Sequence, residues 1–229
     1  MVLDSGFDND GEQWLLVQSR LAKTTRVCSY DRAGVGASDR RVPDVPPQVK
    51  RVVDELHTLL SRAGIPGPYV LGGHSIGAFF IRLFTLRYPN EVAGLVTVDG
   101  SLGGLDPAPA GSDFVQGTFE AYYIAAANNE LAANPTLGSR PLVVLTRGRP
   151  ELSPDVESYW LQGQVRVARF STNSLLVRVD NAGHDIPGDN PGIVLEALRL
   201  TVVAVRDGVP LPDCAATNLP GLAGTCLGF

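Results

Sequence analysis

Five short runs, RVCSYD (26–31), PYVLGG (68–73), VAGLVTVD (92–99), PLVVLT (141–146) and SLLVRVD (174–180), read as strands, and most are apolar without interruption. A strand that is apolar on both sides has both faces covered, the condition of a parallel sheet inside an α/β protein. The intervening segments agree. EQWLLVQSRLA (12–22), PQVKRVVDELHTLLSRAG (47–64), SIGAFFIRLFTLRY (75–88) and PGIVLEALRLTVVAVRDG (191–208) place apolar residues at i, i+3 and i+4. Pro47 and Pro191 suit a first helical turn, and Gly64 and Gly208 suit helix ends. The β-α-β-α alternation predicts a mostly parallel sheet with helices on both faces.

With 229 residues the chain supplies one sizeable core and is short for two. Residues 1–100 and 141–208 read as that core, 101–140 as an insertion and 209–229 as a C-terminal tail. The insertion is far longer than a simple crossover needs. Its stretch SDFVQGTFEAYYIAAANNELAANP reads as helical and aromatic, the composition of a cap over a site. A formal net charge of −5 gives no general attraction to nucleic acid or anionic lipid, and no apolar stretch is long enough to span a membrane. No Cys/His cluster has zinc-like spacing. Cys28 reads as a small buried hydrophobe. Cys214 and Cys226 flank a Pro/Gly-rich segment that a disulfide would staple.

One polar residue stands where the pattern turns from strand to helix. Gly73-His74-Ser75-Ile76-Gly77 follows PYVLGG and opens SIGAFFIRLF. A serine exposed on so sharp a turn needs a strained backbone, and neighbours two residues away on either side must lack bulk. The helix behind it aims its free N–H groups at the serine, where they favour a developing negative charge. Serine is a poor nucleophile at neutral pH without a base to take its proton. Of the three histidines, His57 lies within a helical run and reads as structural. His74 adjoins the serine too closely to reach its oxygen and packs below the turn. His184, in NAGHDIPGDNP, follows the last strand. In a parallel sheet all strand C-termini open on one edge, so Ser75 and His184 belong at that edge. A carboxylate must orient the histidine. Asp99, which ends VAGLVTVD, and Glu151, in RGRPELSPD, are the serious candidates; Asp106, Asp113 and Asp180 are weaker. A rigid strand end holds Asp99, whereas Glu151 lies five residues past its strand among arginines, so Asp99 is favoured.

YDRAGVGASD (30–39), GGHSIGAFFIRLFTLRYPNEVAGLVTVDG (72–100) and AGHDIPGDNPGIVLEAL (182–198) together resemble the α/β-hydrolase superfamily over roughly residues 2–205. The first is similar to the segment after that family's fourth strand, the second to its nucleophile elbow, following helix and sixth strand, and the third to its histidine loop and last helix. The resemblance implies a serine hydrolase with Ser75 as nucleophile and His184 as base. It puts the oxyanion donors at the backbone N–H of Ile76 and, from SGFDND, of Phe7. It places the acid most often after the seventh strand, near Glu151, and in some branches after the sixth, at Asp99. It implies a small-molecule acyl substrate and neither metal nor organic cofactor. Phe114, Phe119, Tyr122 and Tyr123 of the cap would line the acyl pocket. The sequence departs from the family by starting inside the strand that carries the oxyanion loop, without the two strands that usually precede it. That departure motivates the competing expectation of a non-catalytic ligand-binding or degraded hydrolase-like protein.

Overall fold

The computed structural model describes residues 1–42, 45–105, 114–118 and 120–229. In chain order its strands and α-helices are β1 (Val2–Asp4), α1 (Leu15–Leu21), β2 (Cys28–Ser29), α2 (Val49–Arg62), β3 (Tyr69–His74), α3 (Ile76–Arg87), β4 (Val92–Val98), β5 (Phe114–Gln116), β6 (Ala121–Tyr123), α4 (Ala125–Ala133), β7 (Leu142–Arg147), α5 (Pro154–Ala168), β8 (Ser174–Val179), α6 (Ile186–Asp189), α7 (Pro191–Asp207) and β9 (Gly224–Leu227). The main sheet has the order β2-β1-β3-β4-β7-β8-β9, parallel throughout except for the antiparallel β9. β3, the strand that runs into Ser75, is therefore an inner strand, covered on both sides.

Side-chain alternation along these strands builds two cores. Leu71, Leu95, Leu142, Val144 and Leu176 face one side of the sheet, where they meet α2 and α3 through Val53, Leu56, Phe80 and Phe84. Their neighbours Val96, Val98, Val143, Leu145 and Val177 face the other side, against Trp14 and Val17 near α1 and Ile193, Ala197 and Leu198 of α7. The uninterrupted apolar runs follow from this two-sided burial, since neither face of an inner strand can be polar at low cost.

Three segments differ from the sequence reading. Residues 154–168 form α5, a helix without an apolar stripe to announce it. The residues it buries are Gly163, Gln164, Val167 and Ala168, only one of them a large apolar side chain, while Val156 and Tyr159 are exposed. Within the insertion, the part read as helical divides. Residues 125–133 are the helix α4, but Phe114–Gln116 and Ala121–Tyr123 pair as an antiparallel hairpin. Aromatic and β-branched residues favour a pleated, half-buried ribbon over a helix there, and Gly117 opens the turn between them. Finally, the segment 209–229 contributes β9, which pairs with β8. A Cys214–Cys226 disulfide fastens it, with Cα atoms 5.9 Å apart. Cys28 is half-buried, with a free thiol. Among the described residues, no helix is long and apolar enough to cross a membrane.

Candidate active site

The residues singled out in the sequence lie at the C-terminal ends of the parallel strands: Phe7 after β1, Ser75 after β3, Asp99 after β4 and His184 after β8. Ser75 sits at φ 52°, ψ −119°, a conformation rarely adopted by a residue with a side chain. Backbone bonds hold it there. Ser75 N–H donates to Val98 O (3.0 Å), and Ser75 O accepts from Ala78 N–H (3.1 Å) and Ser101 N–H (2.9 Å). The flanking glycines are required by contact. A Cβ on Gly73 would lie 2.6 Å from the Gly77 carbonyl carbon, and one on Gly77 would lie 2.7 Å from Ser5 O. The turn is thus packed backbone against backbone, between the start of α3 and the loop after β1.

His184 Nε2 is 3.0 Å from Ser75 Oγ, and His184 Nδ1 is 2.6 Å from Asp99 Oδ2. A carboxylate only accepts, so Nδ1 carries the proton and Nε2 is left to accept from the serine hydroxyl. Asp99 is fully buried, and its two oxygens take five hydrogen bonds. Oδ1 accepts from Trp160 Nε1 (2.8 Å), Arg147 N–H (3.1 Å) and Thr146 Oγ1 (3.3 Å), while Oδ2 accepts from His184 and from Arg147 Nη1 (2.8 Å). Burial pushes the Asp99 carboxyl up. The bonds from His184, Arg147 N–H and Trp160, with the Arg147 charge, outweigh it and hold the group below its ordinary value of 3.8.

Glu151 takes a different place. Its Oε1 accepts from the backbone N–H of His184 (3.0 Å) and not from the imidazole. Nor is it paired with the arginines beside it in sequence. Arg147 bridges Asp99 and Glu157, and Arg149 pairs with Asp189. Arg147 also stacks its guanidinium over Trp160, 4.6 Å from the ring centroid. Neither residue is legible as part of the site in the sequence, because Trp160 belongs to the unanticipated α5 and the partners of Arg147 are brought to it only by tertiary packing.

His74 is buried under the turn, as its sequence position required, and it has partners on both ring nitrogens. Nε2 donates to His184 O (2.8 Å), and Nδ1 accepts from Gln13 Nε2 (3.0 Å). Gln13 Oε1 in turn accepts from Gly6 N–H (2.8 Å). One-way bonds therefore run from the loop after β1 to the histidine loop. Burial, then the proximity of His184, lowers the His74 pKa to about 4, so the ring is neutral at pH 7. His57 lies apart, stacked on Tyr88 and bonded to Glu91 (3.0 Å).

Of the two expected donors, the N–H groups of Phe7 and Ile76 have no protein acceptor among the described residues. The aromatics of the insertion divide by strand alternation. Tyr122 points inward, fully buried, its ring edge-on to Phe80 (5.3 Å) and Phe7 (5.9 Å) and its hydroxyl donating to Glu120. Phe114 and Tyr123 are directly paired across the hairpin and lie together on its outer face, each 39% exposed, with ring centroids 5.1 Å apart. A helix could have brought Tyr122 and Tyr123 to one pocket; a strand sends neighbours to opposite faces. Phe119, Asp106 and Asp113 lie outside the described residues. Among the described residues no group of three or more His, Cys, Asp or Glu could hold a metal ion.

Residues 2–162, more than half of the chain, match the family model described as the alpha/beta hydrolase fold. The chain belongs to the α/β-hydrolase family. Among its relatives is the uncharacterized Bacillus subtilis protein YqjL, 25% identical over 92% of this chain and 87% of its own length. An AB hydrolase superfamily protein of Gibberella zeae is 32% identical over 44% of this chain, which matches only 32% of that protein. Among solved structures, a thermophilic esterase from Thermogutta terrifontis superposes with a TM-score of 0.68, 22% identity and 89% coverage of each chain. Within this α/β-hydrolase, one site assembles at the C-terminal edge of the sheet a serine on a strained turn, a histidine in hydrogen-bond reach and a buried carboxylate behind it.

Proposed function

We propose that this α/β-hydrolase cleaves carboxylic esters or related acyl compounds through an acyl-enzyme on Ser75. The observation that carries this reading is the continuous line from Ser75 Oγ to His184 Nε2 (3.0 Å) and from His184 Nδ1 to Asp99 Oδ2 (2.6 Å). Ser75 Oγ attacks the carbonyl carbon while His184 Nε2 takes the hydroxyl proton. The carbonyl oxygen becomes an anion and is held by the N–H groups of Phe7 and Ile76. Asp99 remains a carboxylate throughout, orienting the imidazole and stabilising the imidazolium. Collapse of the tetrahedral adduct breaks the ester C–O bond, and the leaving alkoxide takes the proton from His184. Water then attacks the acyl carbon with His184 again as base, and the proton returns to Ser75 as the carboxylic acid departs. Amide, C–C and perhydrolase reactions can use the same constellation, and fold does not choose among them, so ester turnover itself is the test.

The test is labelling with a fluorophosphonate together with a chain-length series of p-nitrophenyl esters. The expected result is a single adduct on Ser75 and ester turnover that falls by several orders of magnitude in folded Ser75→Ala. A folded protein that resists labelling, with no turnover of any ester in the series, would overturn the reading in favour of a non-catalytic binding protein.

A further inference from the structure

The loop that supplies Phe7 is held from the far side by the cap hairpin, through a buried charge cluster. Arg32, from the YDRAGVG segment, divides its guanidinium between the two. Nη1 donates to Asp4 Oδ1 (2.6 Å) and Ser5 O (2.8 Å) and Nη2 to Gly6 O (2.7 Å), so one edge is fixed to the end of β1 and the loop that follows. Nε and Nη2 also meet the two oxygens of Glu120, at 2.6 and 2.7 Å. The side chains of Arg32, Asp4 and Glu120 are all 1% exposed or less. Glu120 and Asp8 then close a reciprocal pair. Asp8 N–H donates to Glu120 Oε2 (2.8 Å), Glu120 N–H donates to Asp8 Oδ1 (2.9 Å), and Thr118 N–H donates to the other Asp8 oxygen. Tyr122 bonds Glu120 and packs its ring against Phe7.

The result bears on a single atom. From Gly6 to Asn9, the N–H of Gly6 goes to Gln13, that of Asp8 to Glu120 and that of Asn9 to Gly6 O. Phe7 N–H is the one left over among the described residues. The peptide before it is tied to Arg32 and the peptide after it to Glu120, so its direction is set by groups on both sides.

We propose that Glu120 is a positioning residue: together with Asp8 it clamps the hairpin β5–β6 onto the loop after β1 and so aims Phe7 N–H at the oxyanion. This rests on the acyl-transfer reading above and extends it. The cap is then part of the transition-state apparatus at this end and not a lid free to lift. Raising the hairpin would strip Asp8 N–H of its acceptor and Arg32 of a carboxylate, and a mispositioned donor costs most of what that donor contributes.

The experiment compares Glu120→Gln and Asp8→Gly with the unmodified protein. Gln keeps the shape of Glu120 and removes its charge from Arg32. Gly removes both Asp8 acceptors at a residue whose φ is 59°, which glycine adopts freely. With a p-nitrophenyl ester, kcat is expected to fall 10- to 100-fold while KM stays within about threefold, because the donor acts on the transition state and not on bound ester. Affinity for a trifluoromethyl ketone, whose serine adduct carries the oxyanion, should fall by the same factor as kcat/KM. A folded variant with lowered Tm but unchanged kcat and ketone affinity makes Glu120 structural only and overturns the proposal. If Glu120→Gln does not fold, Asp8→Gly decides by the same two readouts. Ser75→Ala run alongside separates the two readings. Activity lost there but kept in both clamp variants overturns the clamp alone, whereas activity kept in Ser75→Ala overturns the acyl-enzyme reading and the clamp with it.

Discussion

Replacing Asp99 by asparagine removes one charge and exchanges one oxygen for NH2, in a cage built of donors. If the amide nitrogen takes the Oδ1 position it faces Trp160 Nε1, Arg147 N–H and Thr146 Oγ1. If it takes the Oδ2 position it faces Arg147 Nη1 and the Nδ1 proton of His184. The second orientation opposes fewer fixed donors, and the imidazole can relieve its share by moving the proton from Nδ1 to Nε2. That tautomer presents an N–H to Ser75 and can no longer take the serine proton. Loss of the working tautomer with geometry retained costs roughly 10³- to 10⁴-fold in kcat in the comparable serine–histidine–aspartate case. That is about 4–5.5 kcal/mol of transition-state stabilisation. Arg147 keeps Glu157 as partner but loses a carboxylate at 2.8 Å, so stability should fall as well, by about 1–3 kcal/mol. The assay is p-nitrophenyl ester turnover of folded Asp99→Asn beside Glu151→Gln, normalised to fluorophosphonate-titratable sites in the unmodified protein. Glu151→Gln keeps an oxygen acceptor for the His184 N–H and should stay within about threefold, since a neutral hydrogen bond is worth only ~1 kcal/mol. A collapse confined to Glu151→Gln, with Asp99→Asn retaining a tenth or more of the activity, would show that Asp99 is not the orienting acid.

Other perturbations follow from the same structure. The folded pKa of His74, about 4, lies below its ordinary 6.5, so between these values the unfolded chain binds the extra proton and stability drops as the pH falls. The share due to His74 between pH 7 and 4.5 is roughly 2.5 kcal/mol, to be read as the difference between unmodified protein and His74→Gln in urea unfolding; parallel curves would refute it. Gly77→Ala would place a methyl carbon 2.7 Å from Ser5 O, a backbone atom that cannot swing aside, and should leave little folded protein by circular dichroism. Cys226→Ser should cost about 3 kcal/mol through the opened loop of separation 12, lowering Tm while Ser75 labelling persists, because β9 lies at the sheet edge opposite β2.

The sequence made the inner strands β3, β4, β7 and β8 legible, because two-sided burial writes itself as apolar runs, but not β9, which lies in a segment that reads as a tail. It also determined the serine turn, because Gly73 and Gly77 are the only residues that fit where backbone meets backbone. His184 was legible by elimination among three histidines, and Asp99 by its place on a strand end. What the sequence left open was each contact that depends on another element's approach. Glu151 and Asp99 are both carboxylates near a strand terminus. Only the fold sends one to the imidazole and the other to the backbone N–H beside it. α5 escaped because its buried face mixes Gly163, Gln164 and Ala168 with a single large apolar residue, Val167, too little for an apolar period, and with it went Trp160 and the environment of Asp99. The aromatics of the insertion were visible as residues but not as directions, since helix and strand periods differ and only strand pairing turns Tyr122 in and Tyr123 out. Arg32 and Glu120 lie 88 residues apart, and no sequence pattern pairs them. Their burial against each other is a property of tertiary packing, where desolvation removes water as the alternative partner and leaves charge to be matched by charge.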